Sequence, residues 1–168
     1  SNPTLVEFLE NPSIGLAKNS KVISINQNGE ATVEFNIIAK NYGDSMLNNL
    51  QIKDDLIQTF GDNNSWSVNY GSLLSSSLIV NPSFDGRSNI NLLQGSDSLA
   101  INETKSLSFT VKIKPTITNL SFLNQATTTA LSQAGNLVTD ISTDGINPDP
   151  DNDKDPNNNS VPTPISFS

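Results

Sequence analysis

From Val33 to Lys40 the chain reads VEFNIIAK. Val33, Phe35, Ile37 and Ala39 therefore fall on one face of an extended strand, and Glu34, Asn36, Ile38 and Lys40 on the other. Leu107, Phe109, Val111 and Ile113 repeat the pattern, opposed by Ser108, Thr110, Lys112 and Lys114. A period of two builds a half-buried sheet and no helical stripe. Shorter runs with strand character are Ile14–Lys18, Val22–Asn26, Leu47–Lys53, Ser65–Tyr70, Leu78–Val80, Leu99–Ile101, Phe122–Ala130 and Asn136–Ile141. Turn signals such as QNGE at Gln27, NYGDS at Asn41, DGRSN at Asp85 and QAGN at Gln133 separate them. About eight to ten short strands at this spacing predict an all-β, Ig-like antiparallel β-sandwich. Only DDLIQTF, Asp54 to Phe60, has a helical aspect, and it predicts one turn at a strand end.

Composition narrows the chemistry. The 168 residues suffice for one domain with a core. They include neither cysteine nor histidine. Disulfides, thiolate nucleophiles, the common zinc sites and histidine-dependent triads are thereby excluded. No catalytic residue and no organic cofactor site is assigned, and the chain reads as a non-enzyme. The net charge of −8 is concentrated: Asp140 to Asp155 holds six aspartates against Lys154 alone. Nucleic acid and anionic membrane surfaces bind through clustered Lys and Arg, so neither is an expected partner. No run of about twenty apolar residues is present, and no membrane insertion by this segment is expected.

Two hexapeptides are alike: PTLVEF at Pro3 to Phe8 and PTPISF at Pro162 to Phe167, both P-T-x-[VI]-x-F. A motif that recurs after 159 residues, Pro3 to Pro162, suggests a module of a tandem array. The expected organisation is a linker from a preceding repeat at 1–11, a sandwich at 12–145, and an acidic, proline-rich linker into the next repeat at 146–168.

ENPSIGLAK at Glu10, NYGDSMLNNLQIKDDLIQTF at Asn41, NPSFDGRSNINLLQGSDSLA at Asn81, SLSFTVKIKP at Ser106, and STDGINPDPDNDKDP with PTPISF at the end carry a resemblance along almost the whole chain. They resemble the Ig-like conserved repeats of large bacterial surface proteins, especially of the flavobacterial kind. The resemblance implies an extracellular stalk or adhesin module on the bacterial cell surface. Its partners would be neighbouring repeats of the same polypeptide, and the isolated domain would be a monomer. Lys154 stands where related acidic runs carry glycine.

The acidic run has two readings. Calcium takes six to eight oxygen ligands in irregular geometry, and Asp140, Asp144, Asn147, Asp149, Asp151, Asp153 and Asp155 are the candidate metal ligands. An EF-hand pattern is incomplete, because the sixth residue from Asp149 is Lys154 where the turn needs glycine. The other reading is a solvated spacer. Alternate carboxylates about 6.6 Å apart repel by roughly 0.6 kcal/mol per pair in water, so crowding alone does not demand a cation. Pro148, Pro150, Pro156, Pro162 and Pro164 favour a stiff polyproline II segment. Both roles are compatible, with calcium at the joint and proline stiffening beyond it.

In SWSVNY, Trp66, Val68 and Tyr70 at period two read as core; the competing reading is an exposed platform for a sugar ring. Asp54 and Asp55 diverge on a strand, which suits capping or contact with a cation better than acid/base catalysis. DSM at Asp44 and DSL at Asp97 resemble a short bacterial O-glycosylation signal. The leading expectation is a non-catalytic structural repeat with calcium at its C-terminal joint. The alternatives are a glycan- or protein-binding module, or an accessory domain of a secreted hydrolase.

Overall fold

The computed structural model describes residues 3–4, 9–116 and 121–167. Its elements are β1 (Ile14–Ile25), β2 (Ala31–Asn41), β3 (Leu47–Lys53), α1 (Leu56–Phe60), β4 (Trp66–Val68), β5 (Asp97–Leu99), β6 (Thr104–Ile113), β7 (Ser121–Asn124), β8 (Thr127–Leu131), β9 (Leu137–Ile141), β10 (Thr143–Asp144) and β11 (Thr163–Ser166). A short 3-10 turn lies at Pro156–Asn158. One sheet has the order β10-β1-β2-β6-β4, a second β5-β3-β8-β9, and β11 pairs with β7. The chain is an all-β sandwich, as the alternation predicts. Among the described residues no helix is long and apolar enough to cross a membrane.

The two strictly alternating runs form the centre. β2 is buried at every second residue, and its register sets Val33 opposite Val111, Phe35 opposite Phe109 and Ile37 opposite Leu107. The Phe35 and Phe109 rings stack at 5.3 Å between centroids, and Phe84 meets Phe109 edge-on at 5.1 Å. Leu47, Leu50, Ile52, Leu56 and Leu99 close the core from the second sheet and α1.

Three sequence expectations change. Ile14–Lys18 and Val22–Asn26 merge into one strand, β1, which ends at Ile25 and has a register shift between Val22 and Ser24. Phe122–Ala130 is two strands, broken where the Ala126 amide leaves the ladder to bond Ser142 Oγ at 2.9 Å. Leu78–Val80 is not a strand; Val80 makes a single bridge to Leu93. The surrounding loop satisfies its backbone through side chains instead, with Asp85 Oδ1 accepting from the amides of Arg87 and Asn89.

The largest difference concerns residues 146–168, expected as a linker outside the sandwich. Through Phe167 this segment packs on the sandwich. Pro148 and Pro156 are buried against Gly15, where an added Cβ would stand 2.8 Å from Pro148 Cβ and 2.7 Å from Pro156 Cβ. β11 sends Thr163 and Ile165 inward, each 1% exposed, and Phe167 packs on the core edge-on to Phe122 at 6.2 Å. Proline is tolerated here because β11 has a single strand partner and Pro164 faces outward. Upstream, Glu10 accepts hydrogen bonds from Ser132 Oγ, Ala134 N and Asn136 Nδ2, and Asn11 N donates to Asp44 Oδ1 at 2.7 Å. Of the hexapeptide PTLVEF, Leu5 to Phe8 lie outside the described residues.

If the last strand is core, Ile165→Ala should cost about 2–5 kcal/mol in urea unfolding. A loss near zero would mean that residues 162–167 are a tail.

Candidate functional site

Two clusters of polar side chains stand out, one on the acidic loop and one inside the sandwich. Of the seven residues expected as metal ligands, the fold brings three together. Asp149, Asp151 and Asp153 each offer a carboxylate oxygen, all within 4.8 Å of one another. Asp149 is 3% exposed; its Oδ2 accepts from Lys154 N at 2.9 Å, and its Oδ1 is buried with no hydrogen-bond partner. No Lys or Arg among the described residues pairs with these carboxylates. Burial raises the Asp149 pKa, and Asp151 and Asp153 raise it further, against the Lys154 amide. Lys154 has φ +69°, so the sixth position of the loop adopts the left-handed turn that glycine would supply, with lysine in its place.

The other four residues have local structural duties. Asp140 Oδ2 accepts from Leu16 N at 2.7 Å and its Oδ1 from Asn157 Nδ2 at 2.9 Å, bracketing β1 to the turn after the loop. Asp144 lies exposed on β10. Asn147 Oδ1 accepts from Asp149 N at 3.0 Å, and Asp155 Oδ1 caps the 3-10 turn by accepting from Asn157 N.

The interior cluster joins Lys18, Asp54 and Asn124, which are 0%, 0% and 1% exposed. Lys18 Nζ donates to Asp54 Oδ2, and Asn124 Nδ2 donates to Asp54 Oδ1 at 3.0 Å and to Thr59 Oγ1 at 2.7 Å. Asn124 Oδ1 is buried without a partner. The ammonium lies 4.4 Å from the Phe35 ring centroid and 5.5 Å from that of Phe109. β11 covers the group: Thr163 sits opposite Asn124 in the ladder, and its hydroxyl donates to Lys18 O at 2.9 Å. Burial pushes the Lys18 pKa down, opposed by the Asp54 charge and hydrogen bond.

A signal for this cluster is present in the sequence as parity, without a motif. Lys18 follows Ile14 and Leu16, Asp54 follows Leu50 and Ile52, and Asn124 lies between Phe122 and Ala126, each at the inward parity of an apolar row. The acidic pair at 54–55 divides between two roles. Asp54 contacts a cation, while Asp55 caps α1 by accepting from Ile57 N at 3.2 Å.

The remaining candidates resolve simply. Trp66 is core, its Nε1 donating to Gly61 O at 2.7 Å with the Arg87 guanidinium 3.7 Å over its ring. Tyr70 is not core: β4 ends at Val68 and Tyr70 is 97% exposed. Ser45 of DSM is buried, with its Oγ bonded to Met46 O and Gln133 N, which leaves no place for a glycan.

No family model matches the chain, and no curated protein matches it in sequence. Among solved structures it is similar to the major pilin SpaD of Corynebacterium diphtheriae (17% identity, 77% of this chain and 33% of that one, TM-score 0.47). It is also similar to the major pilin subunit BcpA of Bacillus cereus (10% identity, 79% of this chain and 39% of that one, TM-score 0.49). A GH20 exo-β-N-acetylglucosaminidase of Vibrio harveyi is similar over 79% of this chain and 18% of that one, at 17% identity and TM-score 0.43. The chain thus spans about a third to two fifths of the pilin chains it matches.

Burial raises the Asp140 pKa to about 6 from 3.8, against hydrogen bonds from Asn157 and Leu16 that lower it. The folded state therefore holds this proton more tightly than the unfolded chain. The associated stability is full below about pH 4 and is lost as pH rises through about 6. Urea unfolding of parent and Asp140→Asn between pH 4 and 7 should show a steeper fall in the parent. Equal slopes would contradict this assignment.

Proposed function

We propose that this chain is a non-catalytic structural repeat, a stalk or extender unit of a large bacterial cell-surface or secreted protein of adhesin type, with calcium held on its acidic C-terminal loop. The observation that carries the repeat reading is the match between β11 and the earlier hexapeptide. Apart from the leading proline, Pro162 and Pro3, the positions common to both motifs are those that the C-terminal segment turns inward: Thr163, Ile165 and Phe167 recur as Thr4, Val6 and Phe8. The outward positions differ, Pro164 and Ser166 against Leu5 and Glu7. A buried face kept in both copies leaves this alternation. On this reading the motif that closes this module also stands ahead of it, so that each module passes its last strand directly into the next. Only Leu9 to Ser13 separate such a strand from β1, and Glu10 and Asn11 are already tied to the body. A joint this short limits bending between neighbours.

A two-copy protein, residues 1–161 followed by residues 3–168, tests the reading. Its first copy is closed by PTLVEF, and both copies should melt together within a few degrees of the single chain. Early melting of the first copy alone would refute the shared strand.

The calcium reading rests on the buried, unpartnered Asp149 Oδ1 within a group of three carboxylates. Asp149, Asp151 and Asp153 would hold the ion, which would supply the positive charge that no described side chain supplies there. It would fix the loop that carries Pro148 and Pro156 against Gly15. Extracellular modules bind calcium with dissociation constants of roughly 0.1–1 mM. At about 100 times the dissociation constant, the ion adds about 2.7 kcal/mol. For a chain of this size that is a rise in Tm of about 5–10 °C. The rise should appear in calcium but not in EDTA, be smaller in magnesium, and vanish in Asp151→Asn/Asp153→Asn. An unchanged Tm in about 10 mM calcium would leave the loop as a charged spacer. The buried Trp66 does not offer the aromatic platform that a glycan-binding module would need.

A further inference from the structure

The interior cluster places a primary amine and a carboxamide on the two oxygens of one carboxylate, in a region from which water is excluded. A structural ion pair needs no amide beside it, and the Asn124 carbonyl oxygen, buried and unpartnered, carries a desolvation cost that no structural contact of this group offsets. We propose that Lys18 Nζ and Asn124 Cγ form an intramolecular amide crosslink, with Asp54 moving the protons.

The steps balance without any other reactant. Lys18 first passes one proton to Asp54, leaving a neutral amine and a neutral carboxylic acid. Burial favours this direction, because it disfavours the ammonium. A half turn of the Asn124 amide brings Oδ1 to the place now held by Nδ2. Oδ1 then accepts from the Asp54 acid and from the Thr59 hydroxyl, and two donors polarise the carbonyl. The Nζ lone pair attacks Cγ, and the second proton travels from Nζ through Asp54 to Nδ2. The Cγ–Nδ2 bond breaks and ammonia leaves. Asp54 keeps the first proton, so the reaction removes both charges from the core and no redox change occurs. Unpaired or poorly solvated charges are what such an interior tolerates least. Thr163 and the rest of β11 lie over the group and keep out the water that would otherwise hold Lys18 and Asp54 in their charged forms. The event happens once per chain and has no turnover.

The consequence is mechanical. The crosslink joins β1 to β7 and encloses residues 19–123, so a force applied through the ends bypasses β2 to β6. About 105 residues at roughly 3.4 Å each, some 350 Å, would be withheld from extension.

Intact-mass measurement on the full chain is the test. The expected mass lies below that of the sequence by one ammonia, about 17 Da, and digestion should yield one branched peptide containing Lys18 and Asn124. A succinimide at Asn28-Gly29 would lose the same mass but leave two separate peptides, which would refute the crosslink. A folded parent at full sequence mass would also refute it. Lys18→Met keeps the apolar stem without the amine, and it should fold at its full sequence mass. Asp54→Asn, folded by circular dichroism, should stay uncrosslinked; a branched peptide in that variant would overturn the role of Asp54.

Discussion

β1 has β2 along one edge, and the backbone groups on its other edge have to be satisfied or the sheet would end in an open template for another chain. The C-terminal third of the molecule answers that requirement. Asp140 takes the Leu16 amide, β10 pairs in parallel with Ala17 and Lys18, and Lys18 O accepts from both Gly145 N and Thr163 Oγ1. Gly15 permits the approach, since any larger residue would meet Pro148, Pro156 and Tyr42. The acidic loop is thus held at both ends by contacts with one strand. Its carboxylates are brought together by that tethering as much as by their own sequence.

The same strand carries Lys18 inward. An amine with no exposure can keep its charge only beside a counterion, and Asp54 supplies one from the end of β3. Asn124 then joins from β7, the partner of β11, so that one polar group touches three separate parts of the chain. Edge closure outside and the polar group inside meet at Thr163, which serves both. This coupling explains why the segment after Ile146 belongs to the sandwich despite its composition.

How legible this was differs by element. β2 and β6 show strict alternation, and β3 runs over Leu47–Lys53 as its pattern predicts, because each faces a dry core on one side only. β11 was hidden: Pro162 and Pro164 suggest an extended spacer, and nothing local says that an edge position will accept them. Lys154 is similar, since a left-handed lysine is imposed by the loop around it rather than preferred by the residue. The aspartates at 149, 151 and 153 were legible as a group. That Asp140 instead supports β1 follows only from a contact 124 residues distant in sequence. Lys18, Asp54 and Asn124 sit at inward parity in plain view, but parity cannot say that three rows converge on one point.

Residues beyond 146 fold with the sandwich as one unit through the outer edge of β1. Native-state hydrogen exchange of the full chain, read by NMR, addresses it most directly. The amides of Leu16, Asp144 and Gly145, which bond to Asp140, Val161 and Lys18, should open with the same free energy as those of β2 and β6. Exchange of Asp144 and Gly145 at the low energies of a frayed end, with β2 and β6 still protected, would contradict it.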